Sequence, residues 1–160
     1  MLVLTIALML PSTLKAQTPM TFSGQVGYSW LSGLVGAEAQ FGHVGIGAGW
    51  MPAQMPYSGD HINSIGLYGT YYTLPAGEPG FSSYLSAGVA SKGYQEEVYN
   101  SYGYYNGMTS SMAIIMVGEK WQGEKGWFGK AGLGYGWCDY SDAFTFEITI
   151  GFTLFSNTIK

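Results

Sequence analysis

Charge is what this chain has least of. Charged residues make up 10% of its 160 positions, against about 25% in an ordinary soluble domain, which is too little to coat a surface that faces water. Basic residues are scarcer still, six Lys and Arg against ten Asp and Glu for a formal net charge of -4. Neutralising phosphates takes clustered Lys and Arg, so a nucleic-acid partner is excluded. Cysteine occurs once, at Cys138, which removes any internal disulfide and any Cys-x-x-Cys metal site. There is no Pro-, Ser- or charge-rich stretch where a second domain would begin, so one domain is expected.

Long apolar runs are missing too. The longest opens the chain at residues 2–10 and is too short to cross a bilayer as a helix. Followed by Pro11, Ser12, Thr13, Leu14, Lys15 and Ala16, it reads as a secretory signal peptide over residues 1–16, with cleavage ahead of Gln17. The other reading of this stretch is a short buried N-terminal helix. The first reading leaves residues 17–160 as the mature domain.

What the chain has in abundance is glycine, 25 residues, and aromatics, 16%, both set in period-two alternation. The clearest case starts at Phe144 and ends at Phe155. Phe144, Phe146, Ile148, Ile150, Phe152 and Leu154 hold the even positions, with Thr145, Glu147, Thr149, Gly151 and Thr153 between them. Such alternation is a β-strand with one large apolar face and one small polar face. The same division recurs upstream. Strands are predicted from Phe22 to Trp30, over 35–41, over 44–50 with Gly45, Gly47 and Gly49 on one face, over 64–71, over 81–92, over 110–121 and over 127–137. In the sixth of these, residues 113–117 are apolar on both parities, so its register is not fixed by pattern. Three glycines on one face of the third leave space for something opposite.

Eight strands of about 8 to 12 residues, with no helix after the leader, suit a bilayer-crossing barrel at ~45° tilt. The connections alternate. Gly42 with His43, the Pro- and Gly-rich stretch 75–80 and residues 122–126 are turns, while residues 51–63 and 95–106 are long loops on the opposite rim. Short turns on one rim and long loops on the other mark an outer-membrane barrel. A soluble lipocalin-like carrier of an apolar ligand shares the strand pattern but reverses the faces. Here the polar parity is mostly Gly, Ser and Thr, which suits a narrow barrel interior better than a soluble exterior. Trp30, Trp50, Tyr71, Trp127, Trp137 and Phe155 fall near strand ends, as expected of rings in the headgroup region.

The leader, the eight alternating strands and the closing strand that ends at Phe155 resemble the small outer-membrane β-barrel proteins of the OmpA/OmpX type in Gram-negative bacteria. The resemblance covers nearly all of the mature chain and rests on pattern. It implies an all-β fold, an eight-stranded antiparallel up-and-down transmembrane β-barrel, located in the bacterial outer membrane after secretion across the inner membrane. It further implies outer-membrane lipid as a partner, and the barrel-assembly machinery through the run from Phe144 to Phe155, although Ser156 and the four residues after it extend beyond the terminal aromatic.

Candidate chemistry is sparse. His61 and Ser64 stand three apart at a loop-strand junction on the same rim as Glu96 and Glu97. Together they could form the Ser, His and acid constellation of a lipid A-modifying hydrolase or acyltransferase. A metal site would need Asp60, His61, Glu96 and Glu97 to converge from two loops. The Gly-x-Gly-x-Gly runs lie mid-strand, whereas a phosphate loop must open a helix. No cofactor is expected, and His43 is expected to be solvated in its turn. The remaining polar feature is Glu38, Lys130 and Glu147, each on the small, polar face of its strand and so expected in the barrel interior. An eight-stranded barrel is filled by side chains, so charges there must pair. The expected role is a structural or surface-interaction one with no open pore.

Overall fold

The computed structural model describes residues 18–54, 61–94, 108–137 and 142–159. They form eight strands: β1 (Thr18–Tyr28), β2 (Val35–Phe41), β3 (Val44–Gln54), β4 (His61–Tyr72), β5 (Gly80–Tyr94), β6 (Met108–Gln122), β7 (Trp127–Trp137) and β8 (Asp142–Ile159). Each pairs antiparallel with the next in sequence, and β8 pairs back onto β1 to close the barrel. Closure leaves no sheet edge unpaired along the wall, which is how an all-β chain with little charge avoids edge-to-edge association.

The alternation fixes which side chains line the inside. On β8, Thr145, Glu147 and Thr149 are buried while Phe144, Phe146, Ile148 and Ile150 are exposed. Leu133, Ile46 and Ile65 are likewise exposed on the outside of β7, β3 and β4. The outer wall is therefore apolar and the inner wall holds most of the polar side chains, as the period-two pattern requires.

Several strands run further than the pattern suggests. β1 begins at Thr18, four residues before Phe22. The predicted loop at 51–63 is mostly strand, since Met51 pairs with Ser64, Pro52 with Asn63 and Gln54 with His61, leaving 55–60 outside the described residues. Pro52 reads as a breaker, yet the β2 ladder ends at Val35 and Trp50. Beyond Trp50 the strand has a free side where a missing N–H is tolerated. The second predicted loop, 95–106, lies outside the described residues, as do residues 1–17 with the expected leader. β8 does not stop at Phe155. A bulge between Phe22 and Ser23 of β1 accommodates one extra residue of β8, so Leu154 and Phe155 are both exposed, and the ladder continues to Thr18 and Ile159.

The turn rim is closed by tight connections. Gly42 sits at φ 55° between β2 and β3, a backbone state that favours glycine. His43 beside it is not merely solvated. Its Nδ1 lies 3.0 Å from the Tyr72 carbonyl and its ring stacks on Tyr71 at 5.9 Å.

Candidate functional site

The inside of the barrel holds the molecule's chemistry, and it is built in two levels. Towards the rim that carries the connections at 29–34, 55–60, 95–107 and 138–141, the filling is apolar: Met112, Ile114 and Met116 from β6 pack with Leu31 and Ala90. Towards the turn rim it is charged. Glu38, Lys120, Lys130 and Glu147 are all buried, two carboxylates and two ammonium groups that cancel among the described residues.

Glu38 on β2 is the hub of the charged level. Lys130 Nζ approaches its Oε2 at 2.9 Å, and the Tyr72 hydroxyl donates to both carboxylate oxygens at 2.8 and 2.9 Å. The carboxylate fits because β3 has Gly45 opposite, where a Cβ would stand 3.2 Å from both the Glu38 carboxyl carbon and the Tyr72 ring. Lys120 reaches in from β6 and donates to Gln40 Oε1 at 3.1 Å. Both ammonium groups are flanked by rings. Lys120 Nζ sits 4.8 Å from the Tyr72 centroid and 4.9 Å from that of Phe128, and Lys130 Nζ sits 5.4 and 5.8 Å from the same two. Aromatic faces replace part of the hydration that a buried cation loses.

Glu147 on β8 has its own donors. The Tyr84 hydroxyl gives one oxygen a hydrogen bond of 2.6 Å, and the Ser32 hydroxyl gives the other one of 2.9 Å. Sequence reasoning expects Glu38, Lys130 and Glu147 to form one cluster. The structure brings Glu38 and Lys130 into contact and supplies Glu147 with hydroxyls instead. The difference comes from the connection between β1 and β2. That connection folds into the barrel mouth, with Ser29, Leu31 and Ser32 all buried. Ser29 Oγ accepts hydrogen bonds from the Leu31 and Ser32 amides at 3.2 and 3.1 Å, an arrangement that replaces the ladder these groups have left. Trp30, expected at the outer aromatic girdle, instead packs partly buried against the interior cluster.

This inserted turn and the tyrosines occupy the space that the glycines leave. A Cβ at Gly49 or Gly66 would collide with the backbone of Ser32 or Leu31, and one at Gly47 would collide with the Tyr68 ring. Tyr68 is fixed there by Gln25, whose Nε2 donates to its hydroxyl at 3.0 Å. Sequence reasoning missed Lys120, Tyr72, Tyr84 and Ser32. Lys120 was hidden by the ambiguous register of β6. The tyrosines carried a usable signal, a Tyr on the small-residue parity facing a glycine of another strand.

The alternative loop site is not assembled within the described residues. His61 is the first residue of β4 and Ser64 lies three further along the same strand. Ser64 is buried in the interior, and Glu96 and Glu97 lie outside the described residues. Among the described residues no group of three His, Cys, Asp or Glu could hold a metal ion.

Eight strands, a closed antiparallel order and a filled core are features that comparison with solved structures can test. The N-terminal β-barrel domain of Pseudomonas aeruginosa OprF matches with a TM-score of 0.60 at 18% identity, covering 86% of this chain and 98% of that one. The chain has that OmpA-type barrel fold. No family model matches it, and no curated protein does. At such identity the likeness speaks for the fold, so what the interior and the outer wall can do rests on this chain's own residues.

Proposed function

We propose that this chain is a bacterial outer-membrane β-barrel protein that spans the bilayer with its eight strands. In this reading it has a structural or surface-interaction role and a core closed by paired charges. The observation that carries the reading is the sign of the two faces. Large apolar side chains stand exposed on every strand, while the charges of Glu38, Lys120, Lys130 and Glu147 are buried inside. A soluble barrel needs the reverse, and lipid is the solvent in which an exposed apolar wall costs nothing. An eleven-residue strand such as β7 spans roughly 36 Å, or about 26 Å along the axis at ~45° tilt, close to the apolar band of an outer-membrane barrel. Exposed rings near strand ends, Trp121, Trp127 and Tyr71 towards the turn rim and Trp50 and Trp137 towards the other, suit the two interfaces.

In this topology the turns at 42–43, 73–79 and 123–126 lie in the periplasm, and the connections containing 55–60 and 95–107 face outside. The leader over 1–16 would route the chain to the envelope, and the β8 run through Phe155 would be read by the barrel-assembly machinery. The closed core supports a role without an open pore, because Glu38, Lys130 and Tyr72 bridge it from three different strands. Membrane fractionation followed by electrophoresis with and without boiling tests the proposal. A protein in the outer-membrane fraction whose mobility changes on boiling is expected. Recovery in the soluble fraction would overturn it.

A further inference from the structure

The outer wall carries a charged side chain at Glu119, exposed among apolar neighbours. Glu119 on β6 points outward and accepts a hydrogen bond of 2.6 Å from the Ser83 hydroxyl on β5. The pair stands one step inside the exposed rings Phe81 and Trp121, with the aliphatic pair Leu85 and Val117 on its other side. It borders a depression of about 890 Å³ in the wall, floored by small residues such as Ala131, the direct cross-strand neighbour of Glu119 on β7. A second, apolar depression of about 300 Å³ shares Val117 and Leu133 with the first and continues it along the strands to Ile115 and Phe144. The result is a furrow with a carboxylate near the turn rim and an apolar bed leading away from it.

Resting on the membrane-spanning reading above, we propose that this furrow binds one phospholipid with a primary ammonium headgroup, of the phosphatidylethanolamine class, from the leaflet at the turn rim. The ammonium would donate to the Glu119 carboxylate and an acyl chain would lie along Val117 and Leu133. Three features select this occupant. A carboxylate attracts an ammonium that can donate hydrogen bonds and repels an anionic headgroup. Four residues from Glu119 to Ile115 give a bed of roughly 13 Å, on the scale of most of one acyl chain. A second copy of this chain would present a convex wall, which cannot fill a depression.

The full-length protein, reconstituted in vesicles of equal parts phosphatidylethanolamine and phosphatidylglycerol and then extracted in mild detergent, can be weighed with its retained lipid by native mass spectrometry. Wild type should retain one phosphatidylethanolamine with about tenfold preference, the ratio one charge-assisted hydrogen bond supplies. Glu119→Gln should lose the preference while still shifting on boiling. Ala131→Leu, which keeps the charge but fills the floor, should lower retention of lipid altogether. Equal retention of both lipids by wild type, or a preference that survives Glu119→Gln, would overturn the site. So would a bound mass equal to a second chain or to a cationic protein that Glu119→Gln releases. A protein that never yields a heat-modifiable form in these vesicles would defeat the membrane reading and this inference with it, whereas a folded barrel without preference defeats only the inference.

Discussion

Lys130 and Leu133 lie three residues apart on β7 and experience opposite surroundings. Lys130 is 4% exposed and ion-paired to Glu38, and Leu133 is 72% exposed among other aliphatic side chains. Every strand repeats this contrast, so the barrel is two surfaces woven from one backbone. The inner wall must pair its charges, because an unpaired buried charge is costly. On the proposed membrane-spanning reading, the outer wall has no such requirement but must match an apolar solvent along its whole height. Errors on the two walls should therefore have different causes and different sizes.

The largest effect is expected inside. Lys130→Met would leave the Glu38 carboxylate without its ion-pair partner, and should destabilise by about 3 to 5 kcal/mol in urea unfolding from lipid vesicles. Replacing Glu38 by Leu in the same chain should recover much of the loss, since the pair is then removed together. Equal stability of wild type and Lys130→Met would show that these groups do not share a core. On the outer wall, Leu133→Arg near the middle of β7 should cost about 2 to 4 kcal/mol in lipid. The same substitution on a water-facing wall would be near neutral, so this variant separates the two environments directly.

Smaller effects test how the inner wall is filled. Gly47→Val would push into the Tyr68 ring, and overpacking of that kind should cost about 1 to 3 kcal/mol, read as a lower urea midpoint. Ser32→Ala removes one of the two hydroxyls on Glu147 and should cost about 1.5 kcal/mol. A wild-type midpoint for Ser32→Ala would mean that the inserted turn does not hold that carboxylate.

The outer wall was the more legible of the two. Its large apolar residues repeat at period two with few interruptions, so the strands and the set that includes Ile46, Leu133, Ile148 and Ile150 follow from spacing, and the small Gly, Ser and Thr residues of the other parity turn that set outward. The inner wall was legible where it was small and polar, as at Glu38 and Lys130, and illegible where it was apolar. β6 shows why. Met112, Ile114 and Met116 fill the interior while Ala113, Ile115 and Val117 cover the outside, so neither parity stands out and Lys120 cannot be assigned a side. The inward fold of the connection at 29–34 was also hidden. A turn that enters a barrel and one that caps it use the same Ser and Gly residues, and the distinction lies in Gly49 and Gly66 on other strands, which make room for it.

The contrast between the walls can be measured along one strand. With Cys138 replaced by Ser, single nitroxide labels placed in turn at each position from 144 to 152 of β8, in lipid vesicles, report collision with oxygen and with a water-soluble nickel complex. The even positions, among them Phe146, Ile148 and Ile150, are expected to be rich in oxygen collisions and poor in nickel, with the odd positions shielded from both. Nickel collisions that peak at the even positions would contradict the membrane-spanning reading, because the exposed wall would then face water.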